Sequence, residues 1–188
     1  EAGVLHVTGD PDYARDFVRH AAAELAVDPW ARDVRVECVG LAAEAVKLNP
    51  RRVRHHDTAD IAATVIADTV AMIDRTREAN LDITTGRATL LDDPLWDSRI
   101  LLLDATLQTD LAAQLGRLLN DHPRQTGTSL LVLAVSEALP DGGAEVIRLT
   151  SNGRLTLSGV GIDLIAAGLT AGEANGIAGI FGQADQPD

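Results

Sequence analysis

Short apolar runs alternate along the chain with longer segments in which apolar residues recur every three or four positions. Runs of the first kind predict buried strands, and they occupy residues 4–8, 34–39, 99–105 and 128–135. A briefer and more polar run at residues 51–56 predicts an edge strand. The segments between the runs carry helical stripes, the first of which consists of Ala14, Phe17, Val18, Ala21, Ala22 and Leu25.

Strands this apolar, separated by helices, predict an α/β fold with a mainly parallel sheet and helices on both faces. The rhythm changes near the end of the chain, where residues 145–150 and 155–157 flank an Asn-Gly turn. Asn-Gly supplies the positive φ of a tight turn, so these residues predict a β-hairpin. Residues 161–166 predict one more strand, and Thr170 is placed to cap a short terminal helix.

The length of 188 residues suits one globular domain with a sizeable core. We therefore expect a single domain over residues 1–188, with an α/β core at 3–137 and a C-terminal hairpin and helix at 144–182. Residues 80–98 are polar and rich in turn formers, and they predict a loop.

Composition limits the classes of partner. Apolar residues make up 46% of the chain, which excludes bulk disorder, and the formal net charge is -12. A surface this acidic repels nucleic-acid backbones and anionic lipid. We therefore expect that the domain binds no nucleic acid and makes no direct contact with a membrane. Solubility explains the charge most simply, and an acidic docking face is the alternative. The chain begins without methionine close to its first strand, so we interpret it as a domain of a longer protein.

Three further residues are expected in or against the core. Cys38 is the only cysteine, so the chain can form no internal disulfide, and its place in a predicted strand indicates a buried, inert thiol. This cysteine usage fits a cytoplasmic location. Trp30 and Trp96 each lie close to a proline and are expected to cover the core at loop corners.

The junction between the first strand and the first helix is where a nucleotide-binding domain would carry its phosphate loop. A P-loop follows G-x-x-x-x-G-K-[ST], in which backbone N–H groups wrap the phosphates, lysine neutralises charge and the hydroxyl holds Mg²⁺. This chain has Gly9 at the first position of that frame. Ala14, Arg15 and Asp16 stand at the second glycine, the lysine and the hydroxyl positions.

Asp10 and Pro11 predict a different structure for the same junction. Asp is a favoured N-cap and proline a favoured first helical residue, so the helix is predicted to begin at Pro11. Asp10 is then expected to accept a hydrogen bond from an N–H of the first turn. A turn this short leaves no loop around a phosphate, and the charges of Asp10 and Asp12 oppose a triphosphate. We expect no cofactor and no metal here.

A second signal follows in the apolar run "ILLLDA", where Asp104 has the form of the aspartate that ends a Walker B strand. Active ATPases of the additional-strand class usually place a catalytic glutamate directly after that aspartate. Ala105 occupies that position here.

Two other chemistries have partial signals in the sequence. Asp10-Pro-Asp12 has the D-x-D form of a phosphotransferase nucleophile, and Asp104 could then help to bind Mg²⁺. Such a site needs a nearby cation to balance the charge of the transferred phosphate. Lys47 is the only lysine, and its place in the sequence does not favour that role. Adjacent residues of a strand point to opposite faces, so His55 and His56 are not expected to share a metal. The remaining histidines are scattered, at His6, His20 and His122.

The order of these parts resembles a degenerate ATPase domain of the FtsK/SpoIIIE type, especially the nucleotide-site-poor modules of type VII secretion ATPases. The resemblance covers residues 3–137 and rests on the succession "HVTGDPDYARDFVRHAAAELA", "VRVECVGLAAEAVKLNPRRVRHH", "TADIAATVIADTVAMIDRTREAN", "RILLLDA" and "TSLLVLAV". The chain is also similar to a domain of large actinobacterial membrane proteins that carry LysM or transcriptional-activator-type helical domains. In that group, "LTSNGRLTLSGVGIDLIAAGLTAGEANGI" is similar to the C-terminal hairpin and helix.

The resemblance implies a RecA-like, P-loop NTPase-like fold with Gly9 in the Walker A frame and Asp104 in the Walker B frame. The departures at Ala14, Arg15, Asp16 and Ala105 put both nucleotide binding and hydrolysis in doubt. We therefore expect a non-catalytic scaffold or regulatory interaction domain whose partner is a protein or another domain of the same chain. The expected location is cytoplasmic, as a free protein or as the cytoplasmic part of a membrane protein. The alternative is a nucleotide-binding or hydrolysing domain with atypical Walker A and Walker B motifs.

Overall fold

The computed structural model describes residues 3–31, 33–58, 60–89, 96, 98–105, 109–134, 145–157 and 159–184. Eight strands form one sheet, namely β1 (Val4–Gly9), β2 (Val34–Val39), β3 (Val53–His56), β4 (Ser98–Asp104), β5 (Thr128–Leu133), β6 (Glu145–Leu149), β7 (Arg154–Leu157) and β8 (Ile162–Ile165). Their order across the sheet is β3-β2-β4-β5-β1-β6-β7-β8. The pairs from β3 to β6 are parallel, and β7 and β8 are added antiparallel. The predicted edge strand at residues 51–56 is confirmed, since β3 lies at one edge of the described sheet.

The helices are α1 (Pro11–Val27), α2 (Asp60–Ala79), α3 (Ile83–Thr89), α4 (Thr109–Asp121) and α5 (Ala171–Ala184). Two short 3₁₀ helices, Pro29–Ala31 and Ala43–Lys47, stand on either side of β2. Of the helices that the structure describes, none combines the length and the apolar character needed to cross a lipid bilayer.

Side chains that alternate along the strands build a hydrophobic cluster on each face of the sheet. One cluster contains Leu102 and Val18 and lies between the sheet and α1. The other contains Leu101 and Leu103 and lies between the sheet and helices α2 and α4. The predicted α/β fold, with a mainly parallel sheet and helices on both faces, is confirmed.

The C-terminal hairpin extends the same sheet. β6 pairs in parallel with β1, with Gly9 opposite Leu149, and β7 folds back on β6 through the predicted Asn-Gly turn, where Gly153 has a φ of 74°. β8 confirms the strand predicted at residues 161–166. The hydrogen bonding makes β6 the direct neighbour of the first strand, a pairing that the sequence analysis did not predict.

Thr170 caps the terminal helix α5, as predicted, and does so as part of a capping box. The backbone N–H of Thr170 donates to Glu173 Oε2 at 2.9 Å, and the N–H of Glu173 donates to Thr170 Oγ1 at 3.3 Å. The hydrogen bonds from Thr170 lower the pKa of the Glu173 carboxyl below its ordinary value.

The loop predicted over residues 80–98 is wrong in part, because α3 occupies Ile83–Thr89. Its sequence, ITTGRAT, contains residues with low helix propensity. One local and one tertiary feature explain the helix. Asp82 caps its start, where Oδ1 accepts a hydrogen bond from the N–H of Thr85 at 2.7 Å, and Gly86 lies against the ring of Trp96. Residues 90–95 and 97 of that segment lie outside the described residues.

The three residues expected in or against the core behave differently. Cys38 is fully buried, as predicted. Burial is the main cause that raises the pKa of its thiol to about 12, and the negative charges of Glu37 and Glu44 add to the shift. Trp96 is buried, whereas the expectation for Trp30 is wrong, since this side chain is 93% exposed. Trp30 lies in the 3₁₀ helix after α1, where its backbone N–H donates to Asp28 Oδ1 and its ring points to solvent.

Candidate functional site

The carboxyl end of the parallel sheet brings together both motif frames, and Gly9 is the residue that joins β1 to α1. Its φ is 102°, in the region that favours glycine. A Cβ atom at this position would lie 1.9 Å from the carbonyl oxygen of Leu149. The contact arises because the ladder with β6 continues past the end of β1, where the N–H of Asp10 donates to the same oxygen at 2.9 Å.

Asp10 caps α1 as the sequence predicted. Its Oδ1 accepts hydrogen bonds from the N–H groups of Asp12 at 3.1 Å and Tyr13 at 3.2 Å, and its carbonyl oxygen accepts one from Ala14. The first helical residue is Pro11, which has no N–H. Across residues 10–14, all of which the structure describes, every N–H group therefore has a partner within the chain.

Arg15 and Asp104 connect the Walker A frame to the Walker B frame. Arg15 Nη2 lies 3.8 Å from Asp104 Oδ2, and the Asp104 side chain is 8% exposed whereas that of Arg15 is 46% exposed. Asp104 ends β4, one strand away from β1 across β5. The guanidinium thus lies beside the carboxylate that a Walker B motif would direct toward Mg²⁺.

The other positions of the two frames have structural partners. Ala14 is buried in the cluster beneath α1, and Ala105 packs against the cluster on the opposite face of the sheet. The carboxylate of Asp16 accepts a hydrogen bond from Arg19 Nη1 at 2.7 Å, and its backbone oxygen accepts one from the N–H of Leu169. The structure therefore brings Arg15 to Asp104 and directs Asp16 toward the segment that leads into α5.

Arg19 and Glu44 belong to this region, and sequence reasoning missed both. Arg19 Nη1 also donates to the carbonyl oxygen of Leu169 at 3.1 Å, and its Nε lies 3.7 Å from Glu44 Oε1 in the 3₁₀ helix Ala43–Lys47. Helical spacing from Asp16 could have predicted the pairing of Asp16 with Arg19. The contacts to Leu169 and Glu44 join residues far apart in sequence, and no local pattern predicts them.

The adjacent histidines of β3 have different partners, as expected from the alternation of a strand. His56 Nε2 lies 2.8 Å from Oε2 of Glu37, which is buried on β2. His55 Nδ1 lies 3.7 Å from Oδ1 of the exposed Asp57. Within the described residues, no group of three or more His, Cys, Asp or Glu side chains could hold a metal ion.

A polar cavity of about 480 Å³ opens at the opposite, amino end of the sheet. It is lined by residues that include Thr84, Thr85, His122, Arg124 and Thr128. This cavity is separate from both motif frames, and none of the residues of those frames lines it.

No protein-family model matches the chain, and a search of curated proteins finds no significant match.

Proposed function

We propose that this domain is a degenerate, RecA-like P-loop domain that acts as a non-catalytic scaffold or regulatory interaction module. The observation that carries the proposal is the cap of α1 by Asp10. A phosphate loop binds its ligand through unpaired N–H groups at a helix N-terminus, and here the chain supplies its own carboxylate to those groups.

The charge at the junction supports the same conclusion. The positive end of α1 faces the carboxylate of Asp10, and the side chain of Arg15 faces Asp104. These two positive groups therefore lie beside carboxylates of the same chain. Asp12, in the first turn of α1, is a further exposed negative charge.

The strand order supports the RecA-like assignment. ATPases of the additional-strand class have one strand between the strand that precedes the phosphate loop and the Walker B strand. In this sheet β5 lies between β1 and β4, which carry Gly9 and Asp104. The resemblance to FtsK/SpoIIIE-type modules thus has a counterpart in topology as well as in motif order.

We propose protein partners, or other domains of the same chain, for this module, and a cytoplasmic location. The net charge of -12 opposes a nucleic-acid backbone. In the group of large actinobacterial membrane proteins that the sequence resembles, such a module would lie on the cytoplasmic side. Its role there would be to bind and position a partner.

Thermal unfolding with Mg²⁺–ATP and Mg²⁺–GTP tests the proposal. A ligand at a hundred times its Kd stabilises a protein by about 2.7 kcal/mol, which for a domain of this size raises the Tm by roughly 5–10 °C. We expect no saturable rise with either nucleotide at millimolar concentration. A saturable rise that is lost in Asp104→Ala would contradict the proposal and favour the alternative of an atypical nucleotide site.

A second variant distinguishes backbone geometry from side-chain identity. Arg15→Lys combined with Asp16→Thr restores the lysine and the hydroxyl of a Walker A motif while Asp10 still caps the helix. We expect this variant, compared with Asp16→Thr alone as a folding control, to remain without nucleotide binding. Nucleotide binding by the double variant would show that the side chains, and not the capped turn, account for the loss.

A further inference from the structure

The last strand of the sheet has an unusual edge. β8 pairs with β7 on one side, and among the strands that the structure describes it has no neighbour on the other. Three of its four residues are apolar and exposed: Ile162 at 40%, Leu164 at 54% and Ile165 at 82%. Edge strands usually carry lysine, proline or a bulge that discourages pairing, and this one carries a single charged residue, Asp163.

The hydrogen bonds within the sheet show which groups face outward. The N–H of Ala166 donates to the carbonyl oxygen of Gly153, so these residues form a hydrogen-bonded pair. Hydrogen-bonded and non-hydrogen-bonded pairs alternate along an antiparallel ladder. Since Leu164 pairs with Leu155 and Ile162 with Leu157, the backbone groups of Asp163 and Ile165 point to the open edge.

The one charge at this edge is already neutralised. Arg154 Nε donates to Asp163 Oδ1 at 2.9 Å, and Arg154 Nη2 lies 2.9 Å from Asp163 Oδ2. A strand added to β8 therefore meets an ion pair and apolar side chains. The opposite edge strand, β3, has the sequence VRHH and presents three polar side chains instead.

We propose that β8 is an interface between two copies of this chain, paired antiparallel about a two-fold axis at Leu164. A two-fold axis perpendicular to an antiparallel sheet places a residue opposite its own copy. An axis at Asp163 would set two carboxylates directly opposite each other, which is destabilising. An axis at Leu164 sets two leucines opposite each other and pairs Asp163 with Ile165 of the second copy.

This register uses all the outward backbone groups of the strand. Asp163 and Ile165 each become part of a hydrogen-bonded pair, and each such pair exchanges two N–H···O bonds. Leu164 forms the close, non-hydrogen-bonded pair at the axis. The proposed interface does not depend on whether the β1–α1 junction binds a nucleotide, because β8 lies three strands away from β1.

A strand of four residues buries little area, so the dimer is weak. Interfaces under about 1,200 Å² belong to transient complexes, and we expect a Kd of about 10–100 µM. The 188-residue chain is expected to show reversible, concentration-dependent dimerisation in sedimentation equilibrium. A chain that stays monomeric up to about 500 µM, well above this range, would overturn the proposal.

Cysteine cross-linking tests the register. The Cα atoms of a non-hydrogen-bonded pair are about 4.5 Å apart, a distance that a disulfide spans. Leu164→Cys is therefore expected to form a disulfide dimer under mild oxidation at least ten times faster than Ile162→Cys, since two copies of residue 162 would be more than about 13 Å apart. The native Cys38 is fully buried and does not compete. Equal rates for the two variants, or a faster Ile162→Cys, would exclude the register.

A charge variant tests the interface without new covalent chemistry. Leu164→Lys places two ammonium groups opposite each other at the axis and is expected to weaken dimerisation at least tenfold. Val160→Lys is the matched control, because Val160 is 60% exposed and precedes the paired strand. Equal weakening by both variants would show a general charge effect and overturn the assignment to β8.

Discussion

Gly9 controls how closely two strands and a helix meet. Its φ of 102° lets the chain turn from β1 into α1 within one residue, and the absence of a side chain admits the carbonyl oxygen of Leu149. The same residue type at this position in a P-loop begins a wide loop. In this chain Gly9 instead allows a tight turn and the close approach of the Leu149 carbonyl oxygen.

Gly9→Ala is therefore expected to reduce the free energy of unfolding by about 3 kcal/mol or more, from backbone strain and the clash with Leu149 together. Gly161→Ala is the matched control, because Gly161 also has a positive φ, of 65°, but a Cβ there meets nothing within 4 Å. For the control we expect a loss of about 1 kcal/mol from strain alone. Urea unfolding measures both, and equal losses would show that the contact with Leu149 is unimportant.

Much of the candidate site at the level of residues follows from sequence. The departures at Ala14, Arg15 and Asp16 can be identified by spacing, and the cap by Asp10 follows from the preferences of Asp and Pro at a helix start. The contact of Gly9 with Leu149 and the ion pair of Arg15 with Asp104 could not be predicted. They depend on which strands become neighbours, and no local pattern contains that information.

At the scale of elements, α3 shows tertiary packing overriding propensity. Residues 80–98 predicted a loop because they are polar and rich in turn formers. Gly86 has a specific role in α3, since a Cβ there would lie 2.2 Å from Trp96 Cζ3. The helix forms around the tryptophan ring, and glycine allows the close approach.

Two helical glycines should therefore respond to alanine in opposite directions. Gly86→Ala is expected to destabilise the protein by about 2 kcal/mol, because the ring of Trp96 must move. Gly176→Ala in α5, where a Cβ meets nothing within 4 Å, is expected to stabilise by about 0.5–1 kcal/mol through helix propensity. Denaturant midpoints of the two variants check the pair, and stabilisation by Gly86→Ala would contradict the packing argument.

At the scale of the whole molecule, the described strands form one continuous sheet. The sequence predicted the α/β class, the parallel strands and the hairpin, because apolar periodicity and turn residues are local signals. It did not predict that β6 pairs with β1, since the pairing joins residues 140 positions apart, as between Leu5 and Glu145. The expected core at residues 3–137 therefore includes β1 but not its sheet neighbour β6.

This pairing predicts the outcome of truncation. A chain that ends at residue 137 loses β6, so β1, at the centre of the sheet, becomes an exposed apolar edge. We expect this chain to lack cooperative thermal unfolding and to aggregate. A chain that ends at residue 170 is the control; it loses only α5, which buries Ala174 and Ala178, and should keep its sheet. Circular dichroism and gel filtration compare the two, and a stable monomeric 1–137 chain would refute the prediction.

The backbone N–H and the side chain of Asp10 hold the end of β1 to two different elements. That N–H belongs to the ladder with β6, and the side chain of the same residue holds the start of α1. A wider loop at this junction would require extra residues and would break the hydrogen bond that joins Asp10 to Leu149 of β6. Point substitutions at Ala14, Arg15 or Asp16 alone are therefore not expected to create a phosphate loop, because the backbone of the junction stays closed by these hydrogen bonds.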